Sequence, residues 1–161
     1  EREVKRRIQA KIKEQVMEAL IAVTPIEVPK ALVQAESQQL ADNARRDLEM
    51  RGLKTKDIPV DPSWFTEQAE RRVKLGLIMA ELVKSNELHA KPEQIRALVE
   101  EMAQSYEDPS ELVRWYYAQP ERLAQAEAVV IEDNVVAWVC EKAETTDKPV
   151  AFDELMGNNA A

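Results

Sequence analysis

The residues able to carry covalent or metal chemistry are few and do not form recognisable pairs. His89 is the single histidine, which excludes a metal site with two histidine ligands, and Cys140 has no CxxC partner. A Cys140–His89 pair would supply a nucleophile and its base, but a lone cysteine is far more often a buried structural residue. Glu100 and Glu101 are adjacent, and adjacent residues on a helix do not face each other. With no glycine-rich phosphate loop either, the sequence predicts no catalytic residues, no bound metal and no cofactor.

The charge balance bears on the class of partner. Thirty acidic and 22 basic residues give the 161-residue chain a net charge of -8. Binding to phosphate backbones requires a basic face, so we expect no nucleic-acid partner. The short basic clusters at residues 5–7 and 71–72 are diluted by acidic neighbours and are typical of a solvated helix surface.

The sequence also lacks the segments that direct chains to or through membranes. No apolar run approaches the roughly 18 residues of a membrane span, and residues 1–3 begin no secretory signal. One cysteine cannot form an internal disulfide, so we expect a cytoplasmic chain without a membrane partner. Because residue 1 falls inside a helical pattern with no cap, we expect a fragment of a longer protein.

Prolines divide the chain into helices, since proline is tolerated at the first helical position and disruptive further in. Five of the eight prolines precede runs with helical spacing: Pro29, Pro62, Pro92, Pro109 and Pro120. Two of these follow an aspartate able to cap a helix, Asp61 or Asp108, and Asp108 with Glu111 has capping-box spacing. Few segments alternate between apolar and polar residues, so strands are nearly absent.

The fold class predicted from these patterns is all-α. The spacing predicts helices over residues 1–23, 29–51, 62–86, 92–106, 109–119 and 120–143. It also predicts a C-cap at Gly52, a short extended segment over 144–150 and a last helical turn over 152–156. The first helix would span roughly 35 Å and could project beyond a compact body. We therefore predict an elongated multi-helix domain with arm-like projections over residues 1–156, followed by a flexible tail over 157–161.

The cleanest amphipathic pattern lies in the predicted fourth helix. Its apolar positions recur at i, i+3, i+4, i+7 and i+11: Ile95, Leu98, Val99, Met102 and Tyr106. The short fifth helix then brings Leu112, Trp115 and Tyr116 together. On pattern alone, a stripe of this kind is more often core than binding surface, because amphipathic helices normally bury that face.

Several segments resemble the C-terminal domain of bacterial trigger factor. In chain order they are Ile26-Glu27-Val28-Pro29 with Ala31-Leu32, Gln68-Ala69 with Arg71-Arg72-Val73 and Gly76-Leu77, Asn86-Glu87-Leu88, Glu100-Glu101-Met102-Ala103, Tyr106-Glu107-Asp108-Pro109, Trp115-Tyr116, and Phe152-Asp153-Glu154-Leu155-Met156. No single segment is diagnostic. Their ordered succession covers nearly the whole chain and carries the resemblance.

The resemblance implies a helical body that cradles unfolded or nascent polypeptides without ATP and prevents their aggregation. It implies that apolar contacts with these clients fall on five positions: Met102, Tyr106, Leu112, Trp115 and Met50. The family's ribosome-docking and peptidyl-prolyl isomerase domains are not recognisable in this sequence. We therefore expect no enzyme activity, and contact with the ribosome only through a domain absent here.

A second hypothesis comes from a different functional class. The same apolar stripe could form the core of an interface in a helical adaptor that binds one folded partner or another copy of itself. An adaptor would ignore unrelated unfolded proteins, whereas a chaperone would bind many of them.

Overall fold

The computed structural model describes residues 2–53 and 59–157, and their regular structure is helical. The elements are α1 (Arg2–Val23), α2 (Lys30–Met50), a 3-10 helix (Pro62–Phe65), α3 (Thr66–Asn86), α4 (Pro92–Ala103), α5 (Pro109–Tyr117), α6 (Pro120–Lys142) and α7 (Phe152–Met156). The all-α prediction is confirmed. Most of the loop predicted after α2, and residues 158–161 of the predicted tail, lie outside the described residues.

The fourth helix was predicted three residues too long, and the fifth two residues too long. The fourth helix ends at Ala103, so Tyr106 lies in the turn that follows and not on the helical stripe. The apolar spacing overran the end because the chain must leave the helix before Asp108, which is extended ahead of Pro109. The third helix starts as a 3-10 turn at Pro62 and becomes α-helical only at Thr66.

The chain divides into two compact units, one of residues 17–80 and one of residues 1–16 with 81–161. The boundaries between the units fall inside α1 and α3. The predicted domain over residues 1–156 stays a prediction. Among the described helices, none is long and apolar enough to cross a membrane.

In the unit of residues 17–80, α2 packs against the 3-10 helix. Its buried apolar side chains include Met17, Leu20, Leu40, Ala41, Val60, Ala69 and Ile78. Arg45 on α2 connects the helix to the chain ahead of the 3-10 turn. Its Nη2 donates to the Val60 carbonyl at 2.7 Å, while its Nη1 donates to Asp42 at 2.6 Å.

Backbone hydrogen bonds close the carboxyl end of α2. Gly52 adopts a φ of +80°, a left-handed conformation that side chains with a Cβ rarely adopt. Its N–H donates to the Glu49 carbonyl at 2.9 Å, and the Leu53 N–H donates to the Leu48 carbonyl at 3.0 Å. This pair of bonds is the Schellman motif, in which Arg51 is the C-cap and Gly52 is the left-handed residue directly after it. The helix end predicted at Gly52 is therefore one residue past the observed cap.

In the unit of residues 1–16 and 81–161, α4 packs against α5 and α6, and α5 packs against α6. Val99 on α4 and Val135 on α6 are its largest fully buried side chains. Asn134 on α6 fixes the start of α4, since its side-chain amide exchanges hydrogen bonds with that of Gln94 at 2.8 and 3.3 Å. Gln94 also accepts from the Lys91 N–H at 3.0 Å. The first turn of α4 is thereby tied to α6.

Candidate functional site

An open pocket of about 300 Å³ lies where the turn after α4 leads into α5. Its lining residues are Tyr106, Glu107, Asp108, Glu111, Leu112 and Trp115. The two rings are well exposed, with 59% of Tyr106 and 48% of Trp115 accessible to solvent, whereas Leu112 is half-buried. The pocket lining therefore combines an apolar wall, formed by Tyr106, Leu112 and Trp115, with three acidic residues, Glu107, Asp108 and Glu111, which we call the acidic rim.

Asp108 sets where α5 begins and hence where Leu112 and Trp115 lie. Its Oδ1 accepts from the backbone N–H groups of Ser110 at 3.0 Å and Glu111 at 3.1 Å, and from the Ser110 hydroxyl at 2.7 Å. These bonds satisfy donors that the first helical turn would otherwise leave unpaired. The Ser110 hydroxyl, followed by the amides of Glu111 and Ser110, lowers the pKa of Asp108. The capping role predicted for Asp108 is confirmed.

Two neighbours hold the Trp115 indole. The Arg122 guanidinium, from the first turn of α6, lies 3.6 Å from the centre of the Trp115 ring. Its Nη1 also donates to the Trp115 carbonyl at 2.8 Å. The Tyr116 ring meets the indole edge-on, with centroids 5.2 Å apart and planes at 82°. The indole is therefore fixed by a cation–π contact on a face and an aromatic contact at its edge.

The structure brings together three of the five predicted contact residues, namely Tyr106, Leu112 and Trp115. Met102 is 38% exposed and does not line the pocket, but its Sδ accepts a hydrogen bond from the Tyr116 hydroxyl at 3.9 Å. Met50 belongs to the unit of residues 17–80, where 79% of its surface is exposed at the end of α2. Four of the five predicted residues are exposed and Leu112 is half-buried. Their contacts with clients stay predictions.

Sequence reasoning did not predict the charged residues beside the apolar wall, which are Arg122, Glu107 and Glu111. Arg122 gave no signal, because Trp115 and Arg122 lie on different helices and their contact depends on the angle between α5 and α6. Glu107 and Glu111 had a signal, since they flank Asp108 in the segment already under consideration. Acidic residues are common on this chain, so that signal did not stand out.

The pocket is suited to noncovalent binding of apolar side chains. Tyrosine and tryptophan offer large contact areas with few rotatable bonds. Within the described residues, no group of three or more His, Cys, Asp and Glu side chains is arranged to hold a metal ion. The lining offers a ligand apolar contacts and negative charge.

Comparison with known proteins identifies the family. The model described as "Bacterial trigger factor protein (TF) C-terminus" matches residues 1–141, which is most of the chain. The chain belongs to the bacterial trigger factor C-terminal family. The pocket residues all fall inside the matched range, so the site is part of the trigger factor C-terminal region itself.

Relatives named trigger factor are similar over almost all of the chain. The protein from Azoarcus sp. (strain BH72) is 80% identical over 160 residues, covering 99% of this chain and 37% of its own length. The protein from Aromatoleum aromaticum is 78% identical with the same coverage. That from Herminiimonas arsenicoxydans is 56% identical over 99% of this chain and 36% of its own length. The chain thus spans a little over a third of the trigger factors it matches.

The lowered pKa of Asp108 predicts that its cap on α5 is lost in acid. A carboxyl whose pKa is lowered in the folded state stabilises that state above its unfolded pKa, and the stabilisation is lost as pH falls through the folded pKa. We expect the amide resonances of Ser110 and Glu111 to titrate with a midpoint below about 3.9, the value for an unperturbed aspartate. Two-dimensional NMR between pH 6 and the acid limit of the fold would measure it.

The matched control is Asp108→Asn, because asparagine caps helices well but does not titrate. The two resonances should then lose this acid transition. A midpoint at or above that of a free aspartate, or an unchanged transition in Asp108→Asn, would show that the cap does not control this titration.

Proposed function

We propose that this chain is an ATP-independent chaperone domain that binds unfolded or nascent polypeptides in the cytoplasm and prevents their aggregation. The observation that carries the proposal is the accessible apolar wall formed by Tyr106, Leu112 and Trp115 at an open pocket. Tyrosine and tryptophan are enriched at interfaces, and an exposed apolar patch is typical of an interaction surface. Membership of the trigger factor family supports a chaperone role for it.

Weak binding by several patches fits this structure. The pocket is small and open, so a single client side chain placed in it gains little affinity. Met50 offers a second exposed apolar position, in the other unit. When one flexible client engages two such patches, the second contact is intramolecular and total affinity rises through effective concentration. We propose that Met102, Tyr106, Leu112, Trp115 and Met50 all contact clients in this way.

The acidic surface supports the same function. A net charge of -8 keeps a protein with exposed apolar groups soluble. The carboxylates of Glu107 and Glu111 at the pocket rim attract clients in which lysine or arginine lies near an apolar residue. We further propose that this chain has no prolyl isomerase activity and is linked to the ribosome only through other parts of a trigger factor.

The combined variant Met102→Ala, Tyr106→Ala, Trp115→Ala tests the proposal. We expect it to suppress the aggregation of a chemically unfolded client at least about fivefold less effectively, because hot-spot aromatic residues carry much of the energy of an interface. Light scattering of the diluted client at increasing chaperone concentration measures the effect. Circular dichroism of each variant confirms that the helices remain folded.

Tyr117→Ala is the matched control, since Tyr117 is a 47% exposed aromatic residue on α5 that does not line the pocket. It should suppress aggregation as well as the unmodified chain. Unchanged suppression by the folded triple variant would refute the pocket as the client site. If the unmodified chain ignored several unrelated unfolded proteins but bound one folded partner, the adaptor hypothesis would replace the chaperone hypothesis.

A further inference from the structure

Arg122 contacts Trp115 of the apolar wall, although it is not part of the pocket lining. Its guanidinium lies over the Trp115 ring at 3.6 Å and hydrogen-bonds to the backbone carbonyl of the same residue at 2.8 Å. Both contacts join the Arg122 side chain to Trp115. They fix both the plane of the indole and the position of the backbone that carries it.

The cost of ordering a side chain makes this contact relevant to binding. A half-exposed tryptophan can change rotamer, and a ligand that needs one orientation must then immobilise it. Arg122 is anchored near the start of α6, which packs against α5, so it holds the ring before any client arrives. The pocket would then bind with its aromatic wall already ordered.

We infer that Arg122 is a positioning residue of the client pocket, which holds the Trp115 indole in its binding orientation. The inference rests on the proposed function of the pocket. Arg122 acts through Trp115, so its contribution should disappear when the indole is absent. This dependence separates a positioning role from a general effect on charge or stability.

The charge of Arg122 and its positioning role predict opposite effects of Arg122→Gln on the binding of a cationic client. Removing the charge of Arg122 makes the surroundings of the pocket more acidic, which favours a positively charged peptide. Loss of the ordered indole weakens the binding of the same peptide by roughly three- to tenfold, the factor expected when one side chain must be immobilised. The sign of the change therefore distinguishes the two effects.

The experiment measures binding of a short fluorescein-labelled peptide with two phenylalanines and two lysines by fluorescence anisotropy. We expect Arg122→Gln to weaken binding by about three- to tenfold and Arg122→Lys to recover part of the loss, because lysine keeps the charge without the planar group. In a Trp115→Leu background, Arg122→Gln should cause no further loss. Arg96→Gln is the matched control, since Arg96 is exposed on α4 and does not line the pocket, and peptide binding by this variant should not change.

A spectroscopic measurement reports the ring directly. With Trp64 and Trp138 replaced by phenylalanine, Trp115 is the single tryptophan. With excitation selective for tryptophan, Arg122→Gln should make its fluorescence more accessible to quenching by acrylamide. Unchanged or tighter binding by Arg122→Gln, or an equal loss in the Trp115→Leu background, would overturn the positioning role. If Trp115→Leu alone bound the peptide normally, the pocket would not be the client site. That result would refute the proposed role of the pocket, and not only the positioning role of Arg122.

Discussion

Replacing Val99 by aspartate is expected to lower the free energy of unfolding by more than about 4 kcal/mol, because a carboxyl would enter an apolar interior without a partner. Val99 has no accessible surface and lies on α4, the helix that packs against both α5 and α6. Urea denaturation followed by circular dichroism would measure the change. Loss of this helix packing should also abolish the pocket, since the turn after α4 carries Tyr106.

Val129→Asp makes the same chemical change at a solvent-exposed position of α6. Val129 is 39% exposed, whereas its neighbour Val130 is buried. We expect a loss below about 1 kcal/mol, because valine and aspartate have similar helix propensities and the new carboxylate can stay in contact with water. Similar losses for Val99→Asp and Val129→Asp would contradict the packing of α4 described above.

Reversing the charge at the pocket rim should have the second large effect. The double variant Glu107→Lys, Glu111→Lys is expected to weaken binding of the dilysine peptide by about tenfold at low ionic strength, because rim charges steer and hold a cationic ligand. The measurement compares about 0.01 M salt, where the Debye length is about 30 Å, with about 1 M, where it is about 3 Å. At high salt the difference should shrink to less than about twofold.

Glu127→Lys with Glu141→Lys is the matched control, because it changes the net charge by the same amount at exposed α6 positions outside the pocket lining. We expect a smaller loss that also depends on salt. Two results would argue against a role for the rim: equal losses in both double variants, or a rim effect that persists unchanged in high salt. The second result would instead indicate damage to the start of α5.

The helical course of the chain could be predicted from local rules. Proline and aspartate at residues 108–109 determine the start of α5 through a few hydrogen bonds between neighbours, so four consecutive residues contain the necessary information. Gly52 is similar, since a left-handed residue at a helix end depends on backbone geometry alone. Tyr106 shows the limit of this approach. Its apolar spacing continued the α4 pattern although the chain had already left the helix.

The candidate site was less predictable, because its geometry depends on packing between helices. Spacing places Leu112 and Trp115 on one face of α5 but does not say whether another helix covers that face. A buried core and an open binding surface have the same periodicity. Only the resemblance to trigger factor favoured exposure, and the structure shows Trp115 half-exposed with Arg122 against it. A contact between side chains on two helices cannot be derived from either helix alone.

The closure of α2 by main-chain hydrogen bonds has a consequence for sequence drift among related proteins. The end of the helix depends on the bonds made by Gly52 and Leu53 and not on the side chain of Met50. Selection can therefore exchange the residue at position 50 for other apolar groups without moving the helix terminus. Position 52 has less freedom, because its left-handed backbone favours glycine over residues with a Cβ. Related proteins can therefore differ in the exposed apolar side chain at position 50 while the backbone at the end of α2 stays the same.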